Sequence, residues 1–130
     1  MAKILLLIGG LLNALLTIFH VLFWKLFDWP AKLMYMTPDD RALMQVFNIH
    51  GVLTIGLFTY VSLFHRRELL TTGLGRVMCI AIAVYYYVRA LNSLIFWDVT
   101  IPEEAVIFVI CLGIGVIYTL PALNRFRKPN

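Results

Sequence analysis

Residues 4–24 read ILLLIGGLLNALLTIFHVLFW and contain no Asp, Glu, Lys or Arg. A helix that crosses a membrane needs about 20 mainly apolar residues, so this stretch predicts one. Three further apolar stretches meet the same requirement, and together the four predict helices over about 3–28, 38–64, 74–97 and 101–122. The expected fold is therefore all-α, a four-helix transmembrane bundle formed by a single domain over residues 1–130.

The overall composition agrees with an integral membrane protein. Hydrophobic residues make up 62% of the 130 residues, charged residues only 14%, and the mean hydropathy is +0.87. A soluble domain usually has about 25% charged residues, and disordered chains are poor in aromatic residues and rich in charge. Both classes are therefore excluded, and the length allows one domain.

The two cysteines, Cys79 and Cys111, lie inside apolar stretches and do not form a CxxC pair. Disulfide frameworks and thiol oxidoreductases need paired cysteines. The sequence therefore excludes both, and each cysteine is interpreted as a small buried apolar side chain.

Turn and capping residues mark the ends of the predicted helices. Segments 37–40 (TPDD) and 100–104 (TIPEE) each offer a threonine before a proline and two acidic residues, which is typical of a capped helix start. Pro30 is expected to end the first helix and Pro121 the fourth. Residues 31–36 are too short to cross and are predicted to lie at the interface, while residues 66–75 form a loop.

The distribution of Lys and Arg predicts the orientation. Cytoplasmic loops of membrane proteins are enriched in both, and most of them flank one side of the predicted bundle: Lys3, Arg66, Arg67, Arg76, Arg125, Arg127 and Lys128. The three tryptophans, Trp24, Trp29 and Trp97, lie near the opposite boundary, as in an aromatic belt. Both termini are therefore expected in the cytoplasm, in the plasma (inner) membrane. The basic residues flank the spans without forming a patch that would indicate nucleic-acid binding.

Polar residues inside the spans recur at helical spacing, so each helix is expected to turn one polar stripe towards the bundle interior. Depths estimated from the helical rise of about 1.5 Å per residue converge on one layer in the outer half of the membrane. The inner half is expected to hold few counterparts. The residues predicted to line a pocket in this layer are Arg89, His20, Asn48, Gln45, Asn92, Tyr85 and Glu104.

Arg89 is the centre of the predicted layer, because an arginine at this depth must find a partner, a wet cavity or the interface. Three interpretations stay open from the sequence. Arg89 pairs with Glu104 and neighbouring carbonyls to stabilise the bundle, or it holds an anionic or carbonyl-bearing ligand from outside. The third is that it reaches along its helix to the membrane surface.

His20 and His50 are the candidate metal ligands. Both have suitable depth for a bis-histidine haem site, but His50 lies two residues from Asn48, about 200° round the helix, so these two cannot share a face. No second ligand accompanies His20 at helical spacing. A hydrogen-bonded interior histidine is the simpler interpretation of His20, and the cofactor stays unknown, with haem as an option.

The leading functional hypothesis is a membrane protein whose outer polar pocket binds a lipid-like or small polar ligand. The first alternative is a structural accessory subunit of a larger membrane complex, and the second is a haem- or metal-binding redox protein that uses His20. The sequence does not decide whether there is catalysis. The expected partners are membrane lipids and either a second copy or a larger membrane complex, with no nucleic acid.

Overall fold

The computed structural model describes residues 1–124, which are helical with short connections and contain no strand. The helices are α1 (Ala2–Val21), α2 (Phe23–Leu26), α3 (Trp29–Lys32), α4 (Pro38–Phe64), α5 (Arg66–Thr71), α6 (Gly73–Phe96) and α7 (Pro102–Asn124), with a 3-10 turn at Leu33–Tyr35. By length and composition, α1, α4, α6 and α7 can each cross a membrane. The predicted all-α class with four such helices is therefore confirmed. Arg125, Arg127 and Lys128, which the sequence places on the cytoplasmic side, lie outside the described residues.

The four long helices form two antiparallel pairs. In the first pair, Gly10 of α1 faces Leu63 near the end of α4, while Asn48 near the start of α4 donates to the carbonyl of His20. In the second, Gly115 of α7 lies under the ring of Tyr87 of α6. Contacts between α1 and α7 join the two pairs.

The bundle has two chemically different ends. The tryptophan end carries Trp24, Trp29 and Trp97, and the arginine end carries Arg66, Arg67 and Arg76. Since α1 starts at the arginine end and α4 returns to it, polar side chains on different helices can meet at either end of the bundle.

The interior of the bundle is filled by a small set of buried apolar residues. Its core includes Leu6, Phe58, Ile82, Ile114 and Tyr118, each at most 7% exposed. Many other large apolar side chains along the four long helices face outward. In water such a surface would be an aggregation hazard, whereas lipid solvates it, so the outward apolar faces agree with a membrane protein.

Three predicted boundaries are wrong. The first long helix ends at Val21 rather than at 28, because the chain breaks into α2 and turns at Asp28, whose backbone is left-handed with φ 49°. The segment expected as a loop after α4 contains the helix α5. Pro121 lies inside α7 instead of ending it; its φ, fixed at about −65°, is compatible with a helix even though proline lacks the N–H for one backbone hydrogen bond.

The predicted threonine caps have different outcomes. Thr37 caps α4, since its hydroxyl oxygen accepts the Asp40 backbone N–H at 3.2 Å, which confirms that prediction. Thr100 does not cap α7: its backbone N–H and hydroxyl both donate to Asp98, at 2.9 and 2.6 Å. With Pro102 as the first residue of α7, Thr100 lies one residue too early to cap the helix.

Candidate functional site

A cavity of about 390 Å³ opens among α1, α4, α6 and α7 at the tryptophan end of the bundle. Its wall is mostly apolar and rich in aromatic rings. The aromatic lining residues are Phe19, Phe23, Phe27, Trp29, Tyr85, Tyr86 and Trp97. The other polar or ionisable lining residues are His20, Arg89, Glu104 and Cys111. We call this space the tryptophan-end cavity.

The segment after α1 contributes part of the cavity wall. The left-handed backbone of Asp28 turns the chain so that Trp29 becomes buried, at 8% exposure. The Trp29 ring lies 5.7 Å from that of Phe23 and 6.0 Å from that of Trp24, measured between centroids. This aromatic cluster holds the short helices α2 and α3 beside the cavity.

Arg89 finds its partners on its own helix and just beyond it. Its Nη1 donates to the hydroxyl of Ser93 at 2.8 Å, and its Cζ lies 5.0 Å from the centre of the Trp97 ring. Ser93 is fully buried. An arginine over an aromatic face is a favourable cation–π arrangement, so the guanidinium is oriented along the cavity wall.

Glu104, the acidic residue of the wall, has no such partners. Its Oε2 is buried, and no group within residues 1–124 donates to it. In that same part of the chain, the one salt bridge joins His65 to Glu68 at 3.8 Å, at the arginine end. The ion pair between Arg89 and Glu104 that the sequence allowed is therefore not formed.

A hydrogen bond to its own helix fixes which ring nitrogen of His20 carries a proton. Its Nδ1 lies 2.8 Å from the carbonyl oxygen of Leu16. A carbonyl only accepts hydrogen bonds, so Nδ1 carries a proton, and Nε2 is an acceptor when the ring is neutral. The ring stacks on Phe23 with 4.6 Å between centroids.

His50 does not join His20 on the cavity wall. It is exposed, and its Nδ1 bonds the carbonyl of Val46 on its own helix at 2.8 Å. The part of the chain that the structure covers holds no group of three or more His, Cys, Asp and Glu residues arranged to bind a metal. Only His20 of the two candidates lines the cavity.

The structure brings four of the seven predicted pocket residues to the cavity: Arg89, His20, Tyr85 and Glu104. Asn48, Gln45 and Asn92 do not line it. Asn48 is buried between α1 and α4, where its Nδ2 donates to the His20 carbonyl at 3.1 Å. Gln45 and Asn92 are half-buried elsewhere on α4 and α6.

A second polar cluster lies nearer the arginine end than the tryptophan-end cavity does. Asn13 is fully buried and donates to the backbone carbonyl of Gly9 at 2.8 Å and to the hydroxyl of Tyr118 at 2.9 Å. The Tyr118 hydroxyl also bonds Ser62 at 2.6 Å, and Tyr86 donates to the Asn13 side-chain oxygen. We call Asn13, Ser62, Tyr86 and Tyr118 the Asn13 network.

The Asn13 network connects all four long helices, and each of its side chains has a partner within it. Fully satisfied buried networks fix the register of the elements they join. The signal in the sequence was the stripe of polar residues on the first helix, which includes Asn13. Helical spacing also turns Ser62 and Tyr118 towards the interior, but it does not show that they meet Asn13.

Cys111 and Cys79 are both free thiols. Cys111 lines the tryptophan-end cavity and is 5% exposed, whereas Cys79 belongs to the core at 1%. The predicted buried environment of both cysteines is confirmed.

No family model matches the chain, and neither curated proteins nor solved structures give a significant match.

Proposed function

We propose that the chain is a small integral membrane protein that binds an amphipathic ligand, lipid-like or small and polar, in the tryptophan-end cavity. The cavity itself carries this proposal. Ligand pockets typically have volumes of about 300–1,000 Å³, mainly apolar walls and a few convergent polar groups. The cavity has about 390 Å³, aromatic walls and three such groups, on Arg89, His20 and Glu104.

Arg89 is the residue we assign to the polar part of the ligand. Ser93 and Trp97 orient its guanidinium, and a planar guanidinium can donate two parallel hydrogen bonds to a carboxylate or phosphate. An anionic or carbonyl-bearing group would bind there, while the apolar body of the ligand would contact the aromatic wall.

The orientation we propose places both termini in the cytoplasm, in the plasma (inner) membrane, with the cavity near the outer surface. The basic residues at the arginine end support it through the positive-inside rule. A test uses single cysteines in a chain whose two native cysteines are replaced by alanine. Tyr35→Cys, at a position 93% exposed, should react with an impermeant maleimide from outside. Arg67→Cys should react only after lysis, and the reverse pattern would overturn the orientation.

Native mass spectrometry of the protein released from membranes tests the ligand directly. We expect a small molecule to remain bound to wild type and to be lost from Arg89→Lys, since lysine keeps the charge but loses the planar fork. The exposed Arg67→Lys, at the arginine end, is the matched control and should retain the molecule.

A second experiment locates the binding. In a Cys79→Ala chain, the bound molecule should slow the reaction of Cys111 with N-ethylmaleimide, and washing it out should restore the rate. An empty cavity together with co-purification of stoichiometric protein partners would instead support the accessory-subunit alternative. A Soret absorption band would support the haem alternative at His20.

A further inference from the structure

Two side chains of opposite charge line one cavity without neutralising each other. Arg89 uses Ser93 and Trp97 as partners, while the buried Oε2 of Glu104 has no donor from residues 1–124. Burying a carboxylate without a partner is costly, because the low-dielectric surroundings replace none of its lost hydration. A donor group on a molecule in the cavity would supply a partner to the buried Oε2 of Glu104.

The hydrogen-bonding groups of the wall specify what that molecule offers. Glu104 accepts, and Arg89 donates. A ligand that satisfies them must bring at least one N–H or O–H donor and one strong acceptor. The aromatic remainder of the wall requires that its other surface be apolar.

The charges of Arg89 and Glu104 further restrict the class of ligand that fits the cavity. A ligand with only an anion would pair with Arg89 and leave Glu104 without a donor. A ligand with only a cation would pair with Glu104 but place a second positive charge in the cavity with Arg89, where the low dielectric makes repulsion strong. A ligand that carries both charges close together satisfies each residue and adds no net charge.

Resting on the ligand-binding function proposed above, we infer that the ligand has a zwitterionic head. A primary ammonium binds Glu104, a neighbouring carboxylate or phosphate binds Arg89, and an apolar body contacts the aromatic wall. An amphipathic amino acid and a phosphoethanolamine lipid headgroup share this chemistry.

The test is a titration by native mass spectrometry of the full chain with matched amphiphiles: 2-aminododecanoate, dodecanoate and dodecylamine. We expect 2-aminododecanoate to bind at least about tenfold more tightly than either singly charged compound, since it can form charge-assisted hydrogen bonds with both Arg89 and Glu104. Lysophosphatidylethanolamine and lysophosphatidylcholine form the second arm. Only the first has N–H donors, so tighter binding of the first than of both lysophosphatidylcholine and 2-aminododecanoate identifies a lipid headgroup as the source.

Two neighbouring acidic residues provide matched variants. Glu104→Gln should weaken binding of 2-aminododecanoate about tenfold, to the level of dodecanoate. Glu103→Gln, which removes the same charge from an exposed position, should leave it unchanged.

The outcomes separate this inference from the function on which it rests. If dodecanoate binds as tightly as 2-aminododecanoate to the wild-type chain, or if the two glutamine variants behave alike, the zwitterionic head is wrong while ligand binding stands. If no amphiphile binds, the proposed function fails as well. The wild-type titration decides the first question even where Glu104→Gln does not fold.

Discussion

The side-chain amide of Asn13 donates to the hydroxyl of Tyr118 at 2.9 Å, across 105 positions of the sequence. Because Asn13 also accepts from Tyr86, and Tyr118 also bonds Ser62, one asparagine connects α1 to α6 and α7, and Tyr118 extends the connection to α4. The four residues are buried, since each is at most 2% exposed. The Asn13 network therefore sets how the two helix pairs meet.

Asn13→Leu should destabilise the protein strongly. The leucine has a similar size, but it leaves the hydroxyls of Tyr86 and Tyr118 with fewer partners, and each buried unsatisfied group costs about 1–3 kcal/mol. We expect a loss of roughly 2 kcal/mol or more in the free energy of unfolding, measured by denaturant titration in mixed micelles. The half-buried Asn92→Leu is the control and should cost less. Equal losses in the two variants would show that the Asn13 network does not stabilise the fold.

Gly9→Ala should also destabilise the bundle. A Cβ at Gly9 would lie 2.8 Å from Cε2 of the Tyr118 ring, so the ring and its hydrogen bonds must move, and overpacking of this kind typically costs about 1–3 kcal/mol. Gly113→Ala is the matched control in α7, because a Cβ at Gly113 would have no neighbouring atom within 4 Å. Its melting temperature should stay the same or rise. A similar decrease in both variants would contradict close packing at Gly9.

The sequence predicted the fold well where a single physical property decides it. Long apolar stretches specify membrane-length helices, and TPDD at 37–40 specifies a capped start. The first helix was drawn too long because its apolar character continues to Phe27, while the chain already breaks after Val21. Hydropathy indicates whether a segment prefers lipid or water, and it does not predict a break in the helix within an apolar stretch.

For the candidate site, the sequence predicted only which side of each helix faces the interior of the bundle. Helical periodicity placed Arg89, His20, Tyr85 and Glu104 towards the interior, and all four line the cavity. The same reasoning gave Asn48 as a pocket residue, whereas it lies against α1 and bonds the His20 carbonyl. Periodicity shows which side of a helix is buried, but the choice of neighbour depends on how the helix pairs form.

Asp28 should tolerate glycine and asparagine but reject a β-branched residue. Its backbone has φ 49°, in the left-handed region where glycine is unstrained and asparagine is well tolerated. Asp28→Gly should keep or slightly raise the melting temperature, whereas Asp28→Val should lower it, since strain of this kind costs about 1–3 kcal/mol. Circular dichroism melts in detergent provide the comparison. The expected order fails if the valine variant melts no lower than the glycine variant.

The hydrogen bonds between Asp98 and Thr100, in the loop before α7, should stabilise the protein less at acidic pH. The hydroxyl and then the backbone N–H of Thr100 donate to Asp98 and hold the pKa of its carboxyl below the usual range. Because the folded-state pKa is depressed, the stabilisation is complete above the unfolded pKa of about 3.9 and is lost as the pH falls through the folded value. Thr100→Val removes the larger cause and should raise the pKa of Asp98, as measured by carboxyl carbon NMR titration. An unchanged titration in this variant would contradict the assigned cause.

Arg89 should not depend on Glu104 as a salt-bridge partner in the unliganded protein. Arg89→Met removes a cation–π contact and a hydrogen bond to Ser93, so we expect a small loss of stability. Adding Glu104→Gln should not rescue that loss, because no salt bridge joins the two side chains in the described residues. A structural ion pair behaves differently: breaking it from one side typically costs about 3–5 kcal/mol, and removing the second charge restores much of that loss. A single variant that melts far lower and is rescued by the double would show that the two side chains pair with each other, and neither would then be available to a ligand.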